Sequence, residues 1–343
     1  MSSPGASRNV PHETPAHEAP AHEGPAHEVP ANRRDLPVFL AVAFGLSWLI
    51  ALPFWLGAPF TTPLAQLLGV AMMATPTLGV LAVWLTGHRD VPARRWAART
   101  GLTLGASRGR TLALVAAAWL GVPVLTALAV AVSAAVGAFT PDFGLSLFRQ
   151  VLERSSGGAP PVDPAVLAAA QMGAALLVTP LVNAIPALGE EWGWRGWLLP
   201  RLTRLGTLRA LLLSGVIWGL WHAPLTLLGY NYAELGPWAA PAFTGFCVVF
   251  GVLLGWTRLY SGSVWPAVIG HAALNAWAGL TVIVGDVADP PNLFFAGITG
   301  LVGWALLAVL AAVVLRRWPV TGGRAERGGG AVPGEPGGAV PAD

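Results

Sequence analysis

Long apolar runs alternate with short polar connectors between residues 36 and 318. A helix needs roughly 20 residues to cross a hydrocarbon core. Eight runs approach or exceed that length, at about 36–57, 64–86, 111–138, 164–186, 208–229, 239–257, 264–285 and 293–315. The pattern predicts an all-α fold: a polytopic membrane helical bundle of about eight transmembrane helices. The 139–163 connection holds Asp142, Glu153, Pro160 and Pro161 and reads as a loop.

The flanks are different. Residues 1–35 are polar, and Ala-His-Glu-x-Pro repeats at 16–20, 21–25 and 26–30. Such a segment buries little apolar area, so a disordered tail is expected. His12, His17, His22 and His27 sit there, but a proline every fifth residue works against a compact metal site. Residues 319–343, rich in Gly and Pro, read as a second disordered tail. The organisation is therefore a tail (1–35), a transmembrane domain (36–318) and a tail (319–343).

Composition agrees with the pattern. The chain is 54% hydrophobic and 11% charged, where a soluble domain has about 25% charged residues. Its pI of about 9.7 reflects arginines between the spans, which read as topology signals rather than a nucleic-acid surface. All 20 basic residues are arginine, which with the Ala and Gly excess looks like bacterial genomic bias. Eight crossings put nearly all connector arginines on one side, from Arg33 and Arg34 through Arg89–Arg110, Arg201–Arg209 and Arg258 to Arg316 and Arg317. The positive-inside rule then places both termini in the cytoplasm, in a plasma membrane. The one cysteine, Cys247, lies in an apolar run and reads as a packed thiol.

Against this background a few polar side chains stand out, because an ionisable group inside a span costs roughly 2.5–3.5 kcal/mol. Glu190 and Glu191 open the run Gly189-Glu190-Glu191-Trp192-Gly193-Trp194-Arg195. Pro180 and Pro186 precede it, so a helix restart near Gly189 is expected, with 187–207 dipping along or into the cytoplasmic leaflet. Glu191 and Arg195 are four apart and share a face. Glu190 points about 100° away and is left free. Trp218 and His222 are likewise four apart, as are His271 and Asn275. A neutral imidazole accepts a proton or orients water, and two donors one turn apart suit a developing oxyanion. Each element alone is equally a device for locking helices together. The tryptophans around them (Trp192, Trp194, Trp197, Trp218, Trp221) suggest interfacial anchors or a lipid-facing cleft. His88, in an arginine-rich connector, suggests no special role. No hydrolase triad, zinc-peptidase helix or phosphate loop is present in the sequence.

Taken together, Glu-Glu-x-x-x-Arg, Trp-x-x-x-His and His-x-x-x-Asn, in that order, resemble the CPBP intramembrane proteases. That group includes the CAAX prenyl endopeptidases of the Rce1 type and the bacterial Abi-family proteins. The similarity spans roughly residues 164–285, with Trp218 where Phe is common. The resemblance implies a glutamate-dependent endopeptidase that needs no metal or other cofactor and opens to the cytoplasmic side. It implies that Glu190 activates water with help from His222, that His271 and Asn275 form the oxyanion site, and that Glu191, Arg195 and Trp218 support them. The implied partners are membrane lipids and a membrane-associated or lipidated peptide or protein. Two alternatives stay open: a non-catalytic binding protein of the same fold (bacteriocin immunity or regulator sequestration), and a metal-dependent peptidase or transporter with Glu190, His222 and His271 as ligands.

Overall fold

The computed structural model of the chain describes residues 32–159 and 162–320. The expected tails, with the histidine repeats, fall almost wholly outside the described residues. The described residues form helices and no strands, apart from one isolated bridge between Pro141 and Gly285. In hydrocarbon every backbone N–H and C=O must be satisfied within the segment, and helices do this. The principal helices are α1 (Asp35–Trp55), α2 (Pro63–Gly87), α3 (Arg108–Ala135), α4 (Pro164–Leu177), α5 (Thr179–Leu205), α6 (Thr207–Trp221), α7 (Ala239–Ser261), α8 (Trp265–Trp277) and α9 (Leu301–Arg317).

Five helical stretches are long and apolar enough to cross a membrane: α1, α2, α3, α7 with its preceding turn, and α8 with its continuation to Ile283. The α4–α5 pair, bent by 55°, makes a sixth if counted as one broken span. The expected count of eight is not established. α6 and α9 are 15 and 17 residues long, or about 22 and 26 Å at 1.5 Å per residue. The expected 293–315 run starts late, at Leu301, because Pro290 and Pro291 lead into a folded turn. In that turn the Asn292 side chain accepts the Phe294 N–H.

The helices begin where local chemistry favours it. Pro63 opens α2 behind Thr62, whose hydroxyl accepts the Ala65 N–H. Pro164 opens α4 behind Asp163, which accepts the Ala165 N–H. Such caps satisfy otherwise orphaned donors, and proline is preformed for the first turn.

The break near the acidic pair lies elsewhere than expected. It falls at Val178, between α4 and α5, with Pro180 in the first turn of α5. The helix runs through Gly189 without restarting. It widens into a π-helical stretch over Trp192–Leu198, a distortion often found at functional sites. Gly189 serves close approach instead: a Cβ there would stand 2.7 Å from the Met73 carbonyl oxygen. Gly189→Ala is therefore expected to lower stability by about 1–3 kcal/mol, since the backbone of α2 cannot move aside. Thermal unfolding in detergent reads this directly.

Residues 193–199 are buried inside the bundle. Trp194, Trp197, Trp218 and Trp221 are all at most 2% exposed, so they pack in the core instead of anchoring at an interface, and Trp218 and Trp221 also line a cavity. Phe39 of α1 stacks on Trp197 at 4.5 Å and meets Trp194 edge-on at 5.5 Å. The Trp221 indole donates to the Thr75 hydroxyl and the Ala43 carbonyl, tying α6 to α1 and α2. His88 is also buried. Its Nε2 lies 3.0 Å from Asp35 at the start of α1, and its ring stacks on Trp96.

The connectors sort into two ends. At one, the Val264 N–H donates to the Gly101 carbonyl, and the Arg110 guanidinium donates to the Tyr260 carbonyl. At the other, Trp55 Nε1 donates to the Pro224 carbonyl, and the Asp142 N–H donates to the Val284 carbonyl. Between these ends α5 packs on α8, α6 on α7, and α3 on α8.

Candidate active site

α5 delivers both glutamates into the bundle and turns them apart. Glu191 is fully buried, and its Oε1 accepts from Arg195 Nη1 at 2.8 Å and from His271 Nδ1 at 2.9 Å. Glu190 Oε2 accepts the Trp218 indole N–H at 2.7 Å. Its other oxygen has no hydrogen-bond partner among the described residues. The i,i+4 pairing of Glu191 with Arg195 thus persists through the π-helical turn.

Arg195 is wholly buried, and its guanidinium carbon sits 4.2 Å from the centre of the Trp218 ring. A desolvated cation over tryptophan gains about 2 kcal/mol. Gly251 of α7 makes the room, since a Cβ there would come within 2.9 Å of Arg195 Nη2. Trp218 therefore supports two groups at once, the guanidinium with its face and Glu190 with its N–H.

The two histidines are fixed by their inner nitrogens. His222 Nδ1 lies 2.9 Å from the Trp218 carbonyl oxygen. A carbonyl only accepts, so the proton is on Nδ1, and the neutral ring carries its lone pair on Nε2. His271 Nδ1 donates to the Glu191 carboxylate in the same way. A neutral His271 consequently presents an acceptor at Nε2. The expected part of His271 as an oxyanion donor requires its imidazolium form. Asn275, one turn further along α8, is exposed and without a hydrogen-bond partner among the described residues. Cys247 is buried, with its sulfur 4.0 Å from His222 Nδ1.

Glu190, Trp218, His222, His271 and Asn275 line a single cavity of about 430 Å³. Glu191 and Arg195 do not line it and stand behind it. Among the described residues no three His, Cys, Asp or Glu side chains are grouped so as to hold a metal ion. The Glu190, His222 and His271 trio considered as ligands is thus not such a group.

The opposite wall was not foreseen. It comes from Phe60 just before α2, from Gln66, Val70 and Met73 within it, and from Tyr230 and Asn231 in the connector after α6. Gln66 is the only sequence hint, a lone amide in an apolar helix. The exposed lining residues are Gln66, Val70, Tyr230, Asn231 and Asn275. None belongs to an arginine-rich connector. The cavity reaches toward the end of the bundle away from the arginine-rich connectors.

Comparison with known proteins bears on the same stretch. Residues 172–277 match the family model described as type II CAAX prenyl endopeptidase Rce1-like. A 108-residue region is 30% identical to "CAAX prenyl protease 2" of Methanococcus maripaludis. The alignment covers 30% of this chain and 40% of that relative, so the chain spans less than half of the relative's length. No solved structure matches. The matched residues contain all of Glu190, Glu191, Arg195, Trp218, His222, His271 and Asn275. The three motifs behind the resemblance all fall within this matched region.

Proposed function

We propose that the protein is an intramembrane endopeptidase that hydrolyses a peptide bond of a membrane-associated or lipidated substrate with water activated by Glu190. One observation carries the proposal. Of two adjacent buried carboxylates, one is held by Arg195 and His271, while the other keeps an oxygen free in a cavity shared with two imidazoles.

The chemistry follows from those placements. A water beside Glu190 loses a proton to the carboxylate, and its oxygen attacks the peptide carbonyl. His222, with its lone pair on Nε2, accepts the second hydrogen of that water and fixes its direction. The carbonyl oxygen becomes an oxyanion, which the Asn275 amide and the imidazolium form of His271 receive. Glu190 then passes its proton to the leaving amine as the C–N bond breaks, so the new acid and amine account for every atom of the water. Two carboxylates and one guanidinium leave one negative charge over, and a proton on His271 brings the buried group to neutrality.

The remaining assignments are part of the same reading. The arginine distribution supports a cytoplasmic location for both termini, and the composition supports a bacterial plasma membrane.

The test uses purified protein in liposomes with a cleavable membrane peptide, comparing wild type with Glu190→Gln. Retained activity in the variant removes the general-base role. A second variant isolates the indole hydrogen bond. Trp218→Phe keeps a ring over Arg195 but deletes the donor to Glu190, a charge-assisted bond worth about 1.5–3 kcal/mol. A fall in kcat of about tenfold or more is expected, with KM little changed. An equal kcat would show that the bond does not position the base.

A further inference from the structure

A second cavity, of about 700 Å³, lies between α3, α7, α8 and α9. The peptidase chemistry makes no use of it. Ala113, Ala117 and Gly121 on α3 and Gly270 on α8 leave the space, and leucines of α7 and α9 close it. Among the described residues Arg110 is the one charged side chain in its lining, and no carboxylate is present. The Thr257 hydroxyl donates to the Leu254 carbonyl, and the Trp256 indole N–H donates to the Trp318 carbonyl. A buried water needs two to four polar partners, and the deeper walls offer few.

The dimensions fit lipid chains. On α7 the lining runs from Tyr260 to Phe250, and on α9 from Trp318 to Leu307. Each stretch is about 15 Å long at 1.5 Å per residue. Half of a hydrocarbon core of roughly 30 Å has the same depth. Spread over that depth, the volume gives a cross-section of about 50 Å², below the roughly 80 Å² of a helix about 10 Å across. Hydrocarbon chains fit here and another transmembrane helix does not.

The mouth, at the arginine-rich end, suits a charged headgroup. Arg110 Nη1 donates to the Tyr260 carbonyl at 3.3 Å, and its guanidinium carbon sits 4.9 Å from the centre of the Tyr260 ring. Trp256 stacks on Tyr260 at 5.0 Å and meets Trp318 at 6.3 Å. Trp and Tyr concentrate where hydrocarbon gives way to water. Arg316 and Arg317 directly precede Trp318. All three arginines are exposed, and none is in a salt bridge among the described residues. Basic pockets between helices at this level attract anionic lipid headgroups.

We infer that this cavity holds the acyl chains of an anionic phospholipid from the leaflet at the arginine-rich end, with the phosphate at Arg110. The site is independent of the peptidase reading.

The test titrates the purified full chain in detergent with phosphatidylglycerol or with phosphatidylcholine, and reads bound lipid by native mass spectrometry. The wild type should bind phosphatidylglycerol about tenfold more tightly, since each nearby arginine favours an anionic lipid. Arg110→Gln should lose most of that preference and Arg110→Lys should keep it, which separates the charge from the bond to Tyr260. Gly121→Leu obstructs the chains instead. A Cβ at Gly121 would meet nothing within 4 Å, so this variant should unfold at the wild-type temperature. It should bind both lipids about tenfold more weakly, the cost of expelling about two methylenes. Equal binding of the two lipids by the wild type, an unchanged preference in Arg110→Gln, or an unchanged affinity in Gly121→Leu each overturns the assignment. So does a wild-type dimer that Gly121→Leu dissociates, which would put a second copy of the chain against the cavity.

Discussion

Glu190→Gln should reduce kcat/KM by at least about 100-fold and leave the protein folded. A positioned general base contributes about 10²–10⁴-fold, and glutamine has no comparable basicity. It matches glutamate in size, and its carbonyl oxygen can still accept the Trp218 indole N–H that now reaches Oε2 at 2.7 Å. Removing a charge from a site only 2% exposed should leave the unfolding temperature unchanged or raise it. Glu190→Asp gives a complementary result. Its carboxylate is withdrawn by one methylene, and a misplacement of about 1 Å can cost about 10²-fold. Steady-state cleavage and thermal unfolding on the same preparations separate chemistry from folding. A slow Gln variant with a collapsed unfolding transition would speak only of structure, so the two readings must be taken together.

Arg195→Ala has the larger effect on stability, a loss of about 3–5 kcal/mol, because it leaves a buried carboxylate without its cation. Both Arg195 and Glu191 are fully buried and 2.8 Å apart. The variant also removes the cation from the Trp218 face. Arg195→Lys should not restore the wild type, since an ammonium cannot stack on the ring and pair with Glu191 in the same plane. The decisive comparison is a double-mutant cycle. Glu191→Gln with Arg195→Met, read by thermal unfolding in detergent, should be more stable than Arg195→Ala or Arg195→Met alone. Additive losses would mean that the two groups are not energetically paired.

Much of this site was legible because its logic is local. Glu191 with Arg195, Trp218 with His222, and His271 with Asn275 are each four residues apart, and helical geometry places such pairs on one face whatever the surroundings. Polar groups in apolar helices are costly enough to stand out without structural knowledge. That the glutamates diverge followed from the 100° step between neighbours.

What escaped the sequence depends on distant partners. His88 and Asp35 are 53 positions apart, and nothing near either one announces the other. The helix break fell at Val178 instead of Gly189 because the glycine is required by the approach of α2, a packing constraint. The tryptophans misled because an indole suits an interface and a packed core about equally well; only Phe39, Thr75 and Ala43 decide the matter here. The direction of the cavity depends on which loops line it, and Gln66 and Tyr230 belong to segments with no motif. The shortness of α6 was hidden because the apolar run continues past His222 into non-spanning turns.

The central claim is that water activated by a glutamate attacks a peptide bond in this cavity. It is tested most directly by adding a membrane peptide to metal-stripped, purified protein in ¹⁸O-labelled water and weighing the products. The expected result is two fragments, one ¹⁸O in the new carboxyl group, and a rate that is insensitive to chelator and lost in Glu190→Gln. Hydrolysis that disappears with the chelator and returns with zinc, or that proceeds undiminished in Glu190→Gln, would contradict it.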